Sequence, residues 1–245
     1  MGTAVPGREA RLQGFDEALA AAWRLIVTGD TALVEIAALS LKVSLTAVFC
    51  AALIGLPLGA ALALARFPGR GAVIVVINAL MGLPPVVAGL LVYLLLSRAG
   101  PLGPYGLLFT PTAMVIAQTL LVTPIIAALT RQVVADLWTE YSEQLTSLGA
   151  GRLRAVPTLL WDARFSLVTA VLAGLGRAMA EVGAILVVGG NIDGVTRTMT
   201  TAIALETSKG DLPLALGLGI VLLVIVLVIN AAAHLFGATA RRAAG

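Results

Sequence analysis

The sequence predicts an all-α, polytopic membrane protein with about five transmembrane helices. Its 245 residues are 59% hydrophobic and 12% charged, with a mean hydropathy of +1.01, whereas soluble domains run at about 45–50% apolar and about 25% charged. Several separate apolar runs also reach the roughly 20 residues that a hydrocarbon core about 30 Å thick demands of a spanning helix.

The first of these runs extends over residues 34–65. It is long and carries Glu35 and Lys42 near its start, so a tilted or projecting helix is expected. The second, residues 72–96, is interrupted by Gly82-Leu83-Pro84-Pro85. Proline removes a backbone donor, and such a break is tolerated at membrane depth only under a cover of protein or beside a water-lined cavity. The third covers 112–129 and contains Gln118, Thr119, Thr123 and Pro124; the fourth covers 165–188 and the fifth 214–236. Ahead of them, Leu19, Ala22, Trp23 and Ile26 recur at helical spacing within 16–27. Residues 1–30 therefore read as an N-terminal interfacial segment, with a sixth span as the alternative, and 31–240 as the membrane domain. No sequence repeat is evident.

Scattered arginines and lysines give a net charge of +3 without a run dense enough to grip nucleic acid. Cys50 is the one cysteine and His234 the one histidine. A disulfide, a thiolate cluster, bis-histidine haem and two-histidine zinc sites are thereby excluded within one chain, and no metal site is expected. Residues 1–14 lack the apolar core of a cleavable signal. Loop charge sets the expected topology. With the loops after spans one, three and five inside, the cytoplasm receives Arg66, Arg70, Arg131, Arg152, Arg154, Arg164, Arg241 and Arg242. The opposite side receives Arg8, Arg11, Arg24, Arg98, Arg197 and Lys209, largely accompanied by acids. The expected placement is multi-pass in the cell membrane, N-terminus outside and C-terminus cytoplasmic.

Between spans three and four lies the longest polar stretch, residues 131–164. Leu137, Tyr141, Leu145 and Leu148 recur as on an amphipathic helix, Gly149 and Gly151 offer a break, and Leu153, Val156 and Leu160 resume the stripe. A cytoplasmic helix-turn-helix is expected, suited to a partner's groove; a solvated connector is the competing reading.

The order Glu143-Gln144-Leu145, three residues, Gly149, nine residues, Leu159-Leu160-Trp161-Asp162 resembles the coupling loop of binding-protein-dependent ABC importer permeases, without that loop's small alanines and terminal proline. Gly82–Gly89, the run Gly176-Arg177-Ala178-Met179-Ala180-Glu181-Val182-Gly183-Ala184 and the segment Val187–Ile192 are similar to the oxyanion permeases, above all the tungstate branch beside molybdate and sulfate. The resemblance covers about 33–235. It implies a type I, molybdate-permease-like membrane domain and a homodimer around a central pathway. It also implies an ABC ATP-binding subunit on the loop, which binds ATP and Mg, and an extracytoplasmic substrate-binding protein. No enzyme activity or cofactor is expected in the chain itself, which contains no Gly-x-x-x-x-Gly-Lys-Ser/Thr phosphate loop.

Glu143, Leu145, Leu148, Gly149, Gly151 and Arg152 are the candidate coupling residues. Arg177 and Glu181, four apart and so on one helical face, are candidates for the pathway or for a packing ion pair. Each costs about 2.5–3.5 kcal/mol at the centre of an inserted helix, so both should face protein or water. Pro84, Pro85, Gln118 and Thr123 are further candidates for the path or gate, with interhelical hydrogen bonding as the alternative for the polar pair; Asn191, Asp193 and Arg197 are placed at the outer mouth. The Gly55-Leu56-Pro57-Leu58-Gly59 stretch suits close helix packing. A secondary transporter, or a non-catalytic subunit of another membrane complex, is the alternative function.

Overall fold

The computed structural model describes residues 31–244, with side chains to Ala232 and at Leu235, and five isolated helical positions before them (Asp16, Leu19, Ala20, Trp23 and Val27). The rest of the expected interfacial segment lies outside the described residues. Nine α-helices are found among the described residues 31–244: α1 (Thr31–Leu64), α2 (Arg70–Met81), α3 (Pro85–Leu96), α4 (Pro111–Ser147), α5 (Val156–Asp162), α6 (Arg164–Met179), α7 (Gly183–Gly189), α8 (Met199–Lys209) and α9 (Leu212–Ala244). No strand occurs among the described residues.

α1 and α4, with 34 and 37 residues, extend about 51 and 56 Å, well beyond a core about 30 Å thick. They form the packed axis of the fold, because among the described residues every buried apolar cluster draws on α1 and three of the four draw on α4. Glycine permits their approach: a Cβ on Gly55 would lie 3.0 Å from the Ile126 side chain, and one on Gly59 would overlap the Ala127 carbonyl and sit 2.8 Å from Thr130 Cβ. The small-xxx-small spacing is thus a packing device.

Among the described residues, three helices are long and apolar enough to cross a membrane, and up to five spans result if each bent pair counts as one. The expected second span is two 12-residue helices meeting at 103°. Gly82 ends α2, Pro84 takes extended backbone, and Pro85 opens α3 at the helical position where a missing N–H costs nothing. Each half is about 18 Å long, too short to cross alone. The expected fourth span is also divided: α6 stops at Met179, α7 starts at Gly183, and α6 itself joins α5 at a 79° bend.

A further difference concerns the polar loop, whose first arm is not a separate helix. α4 continues from the apolar run without interruption to Ser147, and only the seven-residue α5 forms the returning arm. One end of the bundle therefore carries the end of α1, the α4 extension and α5, joined in one buried cluster. At this end Arg70 caps α1, donating Nε to Leu62 O at 2.7 Å and Nη2 to Ala63 O at 3.1 Å. The other end carries the start of α1 and the turn after α7.

Candidate coupling loop and membrane polar sites

The α4 extension holds an inner row, Leu137, Trp138, Tyr141 and Leu145, against Ala60, Leu64, Ala155 and Leu159. Leu148 does not join it, since it caps the helix and is 83% exposed; Leu153 is 64% exposed. The helix stops because Gly149 takes φ +77°. Its N–H donates to Thr146 O at 2.9 Å and that of Ala150 to Leu145 O at 2.9 Å. This glycine-terminated double bond satisfies carbonyls the helix cannot use itself. A Cβ on Gly149 would meet no atom within 4 Å, so the requirement for glycine lies in the backbone angle alone.

Beyond the turn, the Arg152 guanidinium lies 5.3 Å from the Trp138 ring centroid. Trp138, Ser142, Glu143, Thr146, Gly151 and Arg152 line an open cleft of about 790 Å3. Three candidates, Glu143, Gly151 and Arg152, share this wall, while Leu145 belongs to the core and Leu148 to the exposed tip. A hydrogen bond to Glu140, together with the negative charge of that carboxylate, pushes the Tyr141 phenol above its usual 10.0, with smaller contributions from burial and Asp162. The phenol is therefore neutral at physiological pH.

Within the membrane region, Glu181 lies past the end of α6 and is 2% exposed, so the expected continuous helical face is corrected to a break. The pair still forms: Arg177 Nη1 is 2.9 Å from Glu181 Oε2, without the geometry of a hydrogen bond. Glu181 Oε1 accepts the Ala184 N–H at 3.0 Å. Two carbonyls at the break, those of Ala178 and Glu181, receive Gln118 Nε2 from α4 at 2.9 Å and Thr200 Oγ1 from α8 at 2.9 Å. Gln118 Nε2 also reaches Ser44 Oγ at 3.5 Å, and its Oε1 is buried without a partner among the described residues. Interhelical bonds of this kind contribute about 0.6–2 kcal/mol each in membranes.

The Pro84-Pro85 break adjoins this one, since a Cβ on Gly183 would lie 2.8 Å from Val86 Cγ2 and 3.7 Å from Pro85 Cβ. Arg177, Glu181, Gln118 and the start of α3 thus gather about one irregular region. Thr123 does not join them through its hydroxyl, which donates to Thr119 O at 2.7 Å in its own helix.

At the far end, Asp193 and Arg197 pair at 2.7 Å, and Asn191 takes φ +52° with Oδ1 buried and, among the described residues, unpartnered. Thr196 braces the turn by donating to Gly189 O at 2.6 Å and accepting the Ile192 N–H at 2.9 Å. Asp193 and Arg197 share a cleft of about 440 Å3 with Glu35 and Lys42 of α1. Sequence reasoning did not join those two acid-base sets, nor assign roles to Thr196, Thr200 or Ser44. The one available signal was threonine density at 196–201, and spacing alone does not say which carbonyl each hydroxyl meets.

A family model described as "Binding-protein-dependent transport system inner membrane component" matches residues 55–242. The chain belongs to that family. It is a multi-pass permease subunit, and a member of this family works with ATP-binding and substrate-binding partners. The permease is 41% identical over 215 residues to the tungstate uptake system permease protein of Peptoclostridium acidaminophilum, covering 88% of this chain and 94% of that one. It is 40% identical over 136 residues to the corresponding tungstate permease of Campylobacter jejuni, covering 56% and 57%. A sulfate transport system permease protein of Synechococcus elongatus is 30% identical over 206 residues, 80% of this permease and 70% of the relative.

Proposed function

We propose that this permease, as a homodimer, forms the transmembrane pathway of an ATP-driven importer for a tetrahedral oxyanion, with tungstate as its cargo and molybdate and sulfate as chemically related ions. The observation that carries the coupling reading is the loop tip, where Leu148 and Leu153 stand exposed beside the Glu143–Arg152 cleft. Two leucines standing out from a polar loop tip have the form of a knob that seats in a partner's groove, which supports docking over a solvated connector. The partner placed there is the ABC ATP-binding subunit, which binds ATP and Mg. The names of the tungstate and sulfate relatives support the cargo.

Arg177 supplies the pathway's positive potential. Its side chain is 32% exposed while that of Glu181 is 2% exposed, so the cation, and not the anion, faces outward from the packed protomer. Glu181 tempers the attraction, which suits an ion that must leave as well as enter. Asn191, Asp193 and Arg197 form the outer mouth, where the extracytoplasmic substrate-binding protein docks. The second copy has room beside Gly176, where an added Cβ would meet nothing within 4 Å.

Loop docking is tested by Gly149→Val. At φ +77° a β-branched residue is strained by about 1–3 kcal/mol, enough to reshape the turn without touching the spans. The variant is expected to insert and dimerise normally but to lose most copurifying ATP-binding subunit, or most receptor-stimulated hydrolysis in proteoliposomes. Wild-type docking, hydrolysis and uptake would remove Gly149 from the coupling site.

Orientation is tested with reporters. A fusion after Arg242 is expected to report cytoplasmic and one before Asp16 external; both ends on one side contradict the five-span topology.

A further inference from the structure

A groove between α1, α5 and α6, at the loop end of the bundle, has no part in the reading above. It encloses about 390 Å3 and is lined by Leu56, Leu160, Leu167, Val168 and Val171, with Arg164 as the charged group among its lining residues. Arg164 stands where α5 bends by 79° into α6. Its guanidinium lies 5.0 Å from the Trp161 ring and 4.6 Å from the Phe165 ring, and its Nη1 donates to Trp161 O at 2.8 Å. No carboxylate pairs with Arg164 among the described residues, and Trp161 is 69% exposed.

This combination points to one kind of occupant. Arginine beside exposed tryptophan at the end of a spanning helix is the composition of a membrane interface. Leu56 lies two helical turns inside the end of α1, and Leu172 of the groove wall two turns beyond Arg164. The groove therefore runs about 12 Å from the charged corner toward hydrocarbon depth. Its wall is apolar where an acyl chain would lie and cationic where a phosphate would lie.

We infer that this groove binds an anionic phospholipid, one acyl chain along Leu56, Leu167 and Val171 and the headgroup phosphate on Arg164. The inference rests on the membrane placement of α1 and α6 and not on the identity of the transported ion. Arg164 holds the lipid by charge, and its stacking on Trp161 and Phe165 keeps the guanidinium at the interface.

The test is native mass spectrometry of the purified permease titrated with palmitoyl-oleoyl phosphatidylglycerol or with phosphatidylcholine of the same chains. The wild-type protein is expected to retain phosphatidylglycerol preferentially. Arg164→Gln should weaken that retention about fivefold, the fold-change corresponding to one basic residue at an anionic surface, and weaken phosphatidylcholine less, because its choline cation offsets the phosphate that Arg164 would hold, so the preference for phosphatidylglycerol shrinks. Val168→Trp, at an exposed position of the groove wall, should displace one lipid of either kind without loss of folded protein. Unchanged retention in both variants would overturn the inference. So would efficient cross-linking between two copies through Val168→Cys in a Cys50→Ser background, which assigns the groove to the subunit interface.

Discussion

Gly59→Leu is expected to leave almost no folded permease in the membrane, whereas Gly176→Leu leaves the fold of the protomer intact. At Gly59 an added Cβ overlaps the Ala127 carbonyl, lies 2.8 Å from Thr130 Cβ and 3.0 Å from the Arg131 nitrogen. Two of those atoms are backbone of α4 and cannot rotate away, so α1 and α4 must separate along the contact on which the buried clusters depend. Overpacking a core costs about 1–3 kcal/mol and occasionally more, and a side chain meeting helix backbone belongs at the upper end. At Gly176 the same Cβ meets nothing within 4 Å. Detergent-extracted yield and thermal stability of the two variants check this. Equal yields and equal unfolding temperatures would show that the α1–α4 approach is not what holds the fold.

The second large effect is at the charged break. Arg177→Ala strands Glu181, a 2% exposed carboxylate, with the Ala184 N–H as its remaining donor. Removing one partner of a buried pair costs about 3–5 kcal/mol; the partial exposure of Arg177 places the expected loss near the lower figure. Arg177→Leu combined with Glu181→Leu removes the stranded charge together with its partner. The double variant is expected to insert, dimerise and bind the ATP-binding subunit, yet to lose at least tenfold in uptake, because the positive potential of Arg177 is gone. Wild-type uptake by the double variant would reduce the pair to a packing device.

Most of what the sequence conveyed about this chain came through hydropathy and glycine. The apolar runs located α1, α4 and α9, since burial in lipid demands uninterrupted apolar length. Gly149 was legible as a helix stop because few other residues accept a positive φ, and Gly55 and Gly59 as a contact because small residues recur four apart. The continuity of α4 was not legible: the polar onset at Thr130 and Arg131 marks a change of solvent, and helical hydrogen bonding does not end where the solvent changes. Nor was the break after Met179. Neither proline nor glycine occupies 180–182, and the carbonyls there are held by Gln118 and Thr200, residues 60 and 19 positions from their acceptors. Leu148 shows the limit of periodicity, since it continues the stripe set by Tyr141 and Leu145 but falls one residue beyond the helix and turns outward. The two halves of the outer cleft, Glu35 with Lys42 and Asp193 with Arg197, meet only through tertiary packing.

The most direct measurement is tungstate accumulation in proteoliposomes containing the permease, its ATP-binding subunit and its substrate-binding protein. Accumulation is expected to require all three proteins and hydrolysable ATP, and to be mostly lost in Gly149→Val although that variant still inserts. Accumulation driven by an ion gradient without the ATP-binding subunit would contradict the proposal, as would a reconstituted, ATP-hydrolysing complex that moves no oxyanion.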